Sequence, residues 1–463
     1  MRDYAPRPYQ TPARDFFAAV PRGNLFADPG LGKTVIMLSV IEALQLEDVL
    51  IVAPWLAVRE VWAKEPQKWA QFAHLNVVPI IGEPSTREQL LRFLPRICAV
   101  NYEQLIWLYR TIPEDQWPFR CVIFDESTRL AGYRLRKATR RSNSLAQHAF
   151  LSLDSPRPAV ERWINLSGTP NANGYDKLWG PQWFVDGGHA LGRSYEAMIS
   201  RWFYASAVQK GLYRQKKLLP GAEAEIIARM RPTTHTIRAK DYFDIKDPIE
   251  RTLEIELPAT ARAQYNSMQR KFYAEIEEGK VSAVNCGVKS GKLRQFASGA
   301  VYYEENRYGV VHDERLAALE SIVEERSGYN LFVVYQFLHE LDMIKKRFKR
   351  AVEIHAPDAI AMWNRGEIPL LLAHPKSAGH AIDLQHGGHV IVYYSPISDQ
   401  ELYQQMLDRL GPVRQLQAGY DRPVYIDHIV ARNTVDDRVT TPMRVQRKSL
   451  MEAFLDDMAQ EGA

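Results

Sequence analysis

The reading of this chain turns on Ala27-Asp28-Pro29-Gly30-Leu31-Gly32-Lys33-Thr34, entered from the apolar pair Leu25-Phe26 and left through Val35-Ile36-Met37-Leu38 and Val40-Ile41. A strand, a loop of small residues and a helix, in that order, make a phosphate-binding loop. Backbone N–H groups of such a loop close around a polyphosphate, and the positive end of the helix dipole faces the anion. Asp28, Gly30, Leu31 and Gly32 supply the cradle, Lys33 reaches the outer phosphates, and the Thr34 hydroxyl is placed to hold Mg2+. Ala27 stands where the pattern ordinarily opens with glycine. A plain glycine-rich turn explains the glycines but not the adjacent Lys-Thr pair.

Working outward, Arg7-Pro8-Tyr9-Gln10 lies just upstream. A glutamine amide pairs with the donor–acceptor edge of adenine, and an aromatic beside it packs on the base, which makes Tyr9 and Gln10 candidate base contacts. Downstream, Asp48-Val49-Leu50-Ile51-Val52-Ala53-Pro54 and Ile97-Cys98-Ala99-Val100-Asn101 read as buried parallel strands separated by helical stretches. That alternation argues for an open parallel sheet, in which ligands gather at the carboxyl ends of strands. The next apolar burst, Cys121-Val122-Ile123-Phe124, ends in Asp125-Glu126-Ser127-Thr128. Paired carboxylates at a strand end are costly unless a cation or a proton-transfer role holds them there. Asp125 is expected to bind Mg2+ and Glu126 to orient and deprotonate the water that attacks a γ-phosphate. The structural alternative is an acidic turn capping a helix, since Asp and Ser are good N-cap residues.

Composition bounds the remaining classes. The 463 residues are 46% hydrophobic and 25% charged, enough for two or three packed cores and unlike a disordered chain. Cys98, Cys121 and Cys286 are far apart, so neither a disulfide framework nor a zinc module is indicated. No apolar run approaches the ~20 residues a membrane span needs, and a soluble cytoplasmic protein is the expectation. Net charge is only +4, but Arg129, Arg134, Arg136, Lys137, Arg140 and Arg141 form a block without an acid. Arg140 and Arg141 are candidate contacts to a nucleic-acid backbone; a solvated face is the alternative.

Taken together, Tyr9-Gln10, the phosphate loop, Asp125-Glu126 and Ser167-Gly168-Thr169-Pro170 resemble the ordered motifs of superfamily-two helicases and translocases of the DEAD/DEAH-box type, in their Swi/Snf-like branch. The resemblance spans nearly the whole chain. It implies an α/β fold of two RecA-like parallel-sheet lobes with a helical insert between them. The first lobe would cover residues 1–190 and bind ATP with Mg2+, the insert and connector 191–310, and the second lobe 311–463. Ser167, Gly168 and Thr169 would couple the nucleotide state to movement of the second lobe. Gly379 and Gln405, in the stretches matching motifs five and six, would share in that coupling. Ser127 and Thr128 depart from the commoner Asp-Glu-Ala-His box, and Ala381 and Asp383 stand where Gly and Asn are more usual.

Motif six fits least well. The family places two arginines three apart after a glutamine, whereas this chain runs Gln404-Gln405-Met406-Leu407-Asp408-Arg409-Leu410-Gly411-Pro412-Val413-Arg414. Arg409 aligns, its partner falls on Pro412, and a short bulge at the proline would bring Arg414 into the missing place. The choice of arginine finger between Arg409 and Arg414 is left open by the sequence. The resemblance implies an ATP-dependent DNA helicase or translocase acting on single-stranded or duplex DNA in replication, recombination or repair. It would work as a monomer beside replication or recombination proteins. The compact length resembles bacteriophage and bacterial versions, which for a phage protein means the host cytoplasm. The rival readings are a nucleic-acid clamp or switch that binds without moving, and an RNA helicase.

Overall fold

The structure, a computed structural model, describes residues 1–93, 95–112, 116–134, 160–205, 216–277, 283–304, 307–378, 382–441, 445–446, 448 and 451. The chain divides into two units, one of Met1–Tyr204, Leu218–Asp244 and Ser449–Ala463, the other of Ala205–Lys217 and Ile245–Lys448. Among the described residues no helix is long and apolar enough to cross a membrane.

The main sheet of the first unit has seven strands: β1 (Arg22–Ala27), β2 (Val49–Ala53), β3 (Val77–Pro79), β4 (Ile97–Asn101), β5 (Cys121–Asp125), β6 (Arg162–Ser167) and β7 (Thr234–Ile237). They lie in the order β3-β4-β2-β5-β6-β1-β7, every neighbouring pair parallel. β2 and β4 are buried along their whole length, as expected of strands covered on both faces. β7 falls in the stretch where the sequence suggests only a helical insert. Thr234-His235-Thr236-Ile237 carries no apolar burst, and it is recruited by pairing with β1 from Asn24–Thr234 to Ala27–Ile237.

Polar side chains lock the register at the centre of this sheet. Asn24 on β1 donates to Gln182 Oε1 (2.8 Å) and Thr234 Oγ1 (3.1 Å), while Asn165 on β6 donates to Asn24 Oδ1 at 3.0 Å. Trp163 closes the set by donating its indole N–H to Asn165 Oδ1 at 2.9 Å. All four of Asn24, Asn165, Gln182 and Trp163 are fully buried. A slip of β1 against β6 would leave these groups unpaired in the core, which costs more than the bonds themselves contribute. Apolar packing of Phe26, Val52, Val122 and Phe124 against Trp179, Trp183 and Phe184 completes the core.

The second unit holds β8 (Ile249–Ile255), β9 (Leu331–Val334), β10 (Ala351–Glu353), β11 (Leu370–Ala373), β12 (Val390–Tyr393) and β13 (Tyr425–Ala431). Their order is β8-β13-β12-β9-β11-β10, again parallel throughout. The helices Ala259–Glu277 and Ala283–Ser298 precede β9 and put Tyr265, Leu293 and Phe296 into the same core as Leu331, Val333 and Val392. Tyr265 is therefore a core residue, and its hydroxyl accepts the Val435 N–H at 2.8 Å. Arg315, 1% exposed, ties the far side together: Nη1 donates to the Tyr394 and Ile429 carbonyls at 2.6 Å each, and Nη2 pairs with the Asp436 carboxylate.

Candidate active site

Strand order brings three of the sequence motifs side by side. β6 lies between β1 and β5, so the turn after β6 sits between the loop that follows β1 and the acids that end β5. The loop runs from Asp28 to Gly32 and feeds helix α1 (Lys33–Ala43), whose residues Val35 to Ile41 are all buried. Gly32 caps the helix with φ +77°, and a Cβ there would lie 2.9 Å from Gln10 Nε2. Only glycine meets both conditions without strain. Lys33 begins the helix, and its ammonium donates to the Ala27 carbonyl at 3.0 Å. Thr34, half-buried, follows in the first turn.

Several polar groups of the loop and its surroundings are engaged within the protein. The Asp28 carboxylate accepts from the Ala239 N–H at 2.8 Å and pairs with Arg238 at 3.3 Å, which anchors the loop to the segment after β7. Leu31 is buried, and its carbonyl accepts from Gln10 Nε2 at 3.4 Å. Gln10 Oε1 accepts from the Arg7 N–H (3.0 Å) and the Tyr4 hydroxyl (3.2 Å), so the amide braces the loop from the side of the N-terminal segment. Tyr9 is buried against Tyr242, with ring centroids 4.9 Å apart.

The turn after β6 packs on the same loop. A Cβ on Gly168 would meet Pro29 Cδ and Cγ at 3.2 Å and the Ala27 carbonyl at 3.4 Å. Ser167 Oγ accepts the Thr169 N–H at 3.1 Å and fixes the turn, with both residues buried. The loop and the Ser167-Gly168-Thr169 turn are thus closely packed at Pro29 and Gly168.

At the end of β5 the acids are held in a defined way. Asp125 Oδ1 accepts the Glu126 N–H at 3.1 Å, and Oδ2 accepts the Trp62 indole N–H at 3.0 Å. Glu126 takes a left-handed backbone conformation, φ +51° and ψ +58°. Backbone strain of that kind clusters at active sites, although Gln45, Asp48, Asp358 and Asn433 also have positive φ. Burial, and next the neighbouring Glu126 charge, push the Asp125 carboxyl up to about 6; the Trp62 hydrogen bond and the Lys33 charge pull against this. The Lys33 charge thus acts on Asp125, although β6 lies between β1 and β5. The Asp125 carboxylate and the Thr34 hydroxyl are oxygen donors of the type that suits a hard divalent cation, so these residues fit Mg2+.

In the second unit, helix α2 (Gln400–Leu407) ends before the proline, and a new helix α3 (Pro412–Gln417) begins with Pro412 in its first turn. The expected bulge is instead a break and restart, because proline is compatible with the first turn of a helix but not with its interior. Arg409 is buried, donating Nε to the Gln405 carbonyl (3.1 Å) and Nη1 to the Ile382 carbonyl (3.4 Å). Gln405 is buried too, with Nε2 3.4 Å from Glu401 Oε1. Arg414 pairs with Asp383. Arg140, Arg141 and Gly379 lie outside the described residues.

Sequence reasoning missed Trp62, Tyr102 and Arg238. Tyr102, directly after β4, donates its hydroxyl to the Asp125 carbonyl and stacks on Phe124 at 5.4 Å. Nothing local marks these residues; their roles come from partners brought in by the sheet order.

A putative protein, p41, of Acyrthosiphon pisum secondary endosymbiont phage 1 is 39% identical over 466 residues, covering 99% of each chain. Among solved structures, a Sulfolobus solfataricus SWI2/SNF2 ATPase core in complex with dsDNA aligns over 98% of this chain and 94% of that one, at 18% identity and a TM-score of 0.42. A second structure of the Sulfolobus solfataricus SWI2/SNF2 ATPase core domain aligns over 96% and 90%, at 18% identity and a TM-score of 0.39. The family model described as SNF2-related domain matches residues 18–298, and this chain, with its two parallel-sheet units, belongs to that family.

Proposed function

We propose that the protein is an ATP-driven motor that hydrolyses ATP when bound to DNA and moves along it in replication, recombination or repair. The observation that carries this reading is the meeting of Lys33, the Ser167-Gly168-Thr169 turn and the Asp125-Glu126 pair at the carboxyl ends of three neighbouring parallel strands. Lys33 and the N–H groups at the start of α1 bind the phosphates. Thr34 and Asp125 would hold Mg2+, which when bound polarises the phosphoryl oxygens. Glu126 accepts the proton of the attacking water, and its strained backbone fixes where that carboxylate stands. Gly168 against Pro29 gives the nucleotide state a mechanical outlet towards the coupling turn. Membership of the SNF2-related family favours DNA as the track, whose backbone contacts are independent of sequence.

ATP turnover measured side by side with single-stranded DNA, duplex DNA and RNA tests the reading, together with displacement of a triplex-forming strand by the moving protein. Stimulation by DNA with displacement is expected. Stimulation without displacement favours a clamp, and stimulation by RNA alone overturns the choice of DNA.

A further inference from the structure

The Asp125 carboxylate is gripped from both sides, and one grip comes from a residue with no assigned role. Trp62 is 0% exposed and donates its indole N–H to Asp125 Oδ2 at 3.0 Å. An indole is a donor only, and a buried N–H needs an acceptor. A backbone carbonyl would serve at lower cost than a carboxylate that must carry charge.

The local backbone is shaped to make this contact. Pro54 ends β2, a short helical turn covers Trp55–Ala57, and Val58–Trp62 forms a π-helical turn in which the Ala63 N–H reaches back five residues to the Val58 carbonyl at 3.3 Å. A π-turn holds more residues than an α-turn and re-aims the side chains that follow, and such turns recur at functional sites. Here Trp62 points to the end of the neighbouring strand β5. Tyr102, arriving after β4, holds the Asp125 carbonyl. Oδ1 is meanwhile held by the Glu126 N–H. Carbonyl and both carboxylate oxygens are therefore all fixed.

We propose that Trp62 is a positioning residue for metal binding: its N–H sets the orientation in which the Asp125 carboxylate meets Mg2+. The inference rests on the ATPase reading of this site. Groups that orient a metal-binding side chain without touching the metal typically change metal affinity by ten- to a hundred-fold.

Trp62→Phe removes the N–H and keeps most of the ring volume. The measurement is the Mg2+ dependence of binding of a fluorescent, non-hydrolysable ATP analogue, taken with a thermal unfolding curve. The half-saturating Mg2+ concentration should rise on the order of ten-fold, while affinity for the analogue in EDTA and the unfolding temperature stay close to wild type. A folded variant with wild-type Mg2+ dependence overturns the proposal, as does an equal loss of affinity in EDTA. If the wild type itself binds no analogue, or binds it without regard to Mg2+, the ATPase reading fails instead. If Trp62→Phe does not fold, indole 1H–15N spectra decide. Asp125→Asn identifies the Trp62 resonance as the one it displaces, and that resonance must move when Mg2+ is added to the nucleotide-bound wild type; an unmoved resonance overturns the proposal.

Discussion

Arg414 Nη1 lies 2.5 Å from Asp383 Oδ1. Asp383 is exposed and the Arg414 side chain is 24% exposed, so the pair is worth at most about 1 kcal/mol and is readily exchanged for another anion. Arg409 is differently placed: it is buried and bonded to two backbone carbonyls of its own unit. If Arg414 is the arginine finger, Arg414→Ala should lower ATP turnover on the order of 10³-fold with nucleotide affinity nearly intact. Arg409→Ala should instead lower the unfolding temperature, since it removes hydrogen bonds from a buried charged group. A well-folded Arg409→Ala with the turnover defect, beside a mild Arg414→Ala, would transfer the role to Arg409.

On the proposed ATPase reading Lys33 and Glu126 serve different parts of one reaction, and their variants should fail differently. Lys33→Ala should weaken ATP binding and abolish turnover, because the charge beside the phosphates is gone. Glu126→Gln keeps size and hydrogen bonding but cannot take a proton, so it should bind ATP and not hydrolyse it. Equilibrium binding and steady-state turnover on both proteins check this. Near-normal turnover in either would sink the site assignment.

What could be read from sequence was the chemistry confined to a few neighbouring residues. Gly32, Lys33 and Thr34 announce a phosphate loop because backbone geometry and charge are local, and Asp125-Glu126 stands out because acids at the end of an apolar strand demand a reason. Asp28 shows the limit: its carboxylate is spent on Ala239 and Arg238, some 210 residues away, and no spacing rule links them. Trp62 was missed because a π-turn leaves no trace in apolar periodicity. β7 was missed because an edge strand of two threonines, a histidine and an isoleucine has no burst of its own. The proline in motif six was visible, but whether it bulges or restarts a helix depends on Gly411 and on what Arg414 then meets.

If the protein tracks a nucleic-acid backbone, affinity must fall steeply with salt, because each phosphate neutralised by Lys or Arg releases condensed counterions. Replacing Arg140 and Arg141 together by alanine should weaken binding about equally for unrelated DNA sequences and reduce the slope of log affinity against log salt by roughly one to two. Fluorescence anisotropy across a salt series reads both quantities. A flat response in the wild type is incompatible with backbone tracking.

The second unit should carry an acid-sensitive core. Burial pushes the rings of His312 and His339 down to about 4 from the usual 6.5. His312 Nε2 lies 3.0 Å from the Phe296 carbonyl, which fixes a neutral ring with its proton there, and His339 Nε2 lies 2.7 Å from Ser298 Oγ. In the unfolded chain these rings take up protons as pH falls through 6.5, whereas in the folded protein they stay neutral until about 4. The unfolded state thus binds more protons throughout that window, and stability falls as the pH falls. Above 6.5 the rings contribute nothing to pH dependence, and below about 4 the loss levels off. Between pH 7 and 5 each ring should cost about 2 kcal/mol. Urea unfolding of the wild type, His312→Gln and His339→Gln at the two pH values isolates the effect, because carboxylates elsewhere contribute equally to all three. Each variant should lose less stability on acidification than the wild type, and identical losses in all three would remove the histidines as the cause.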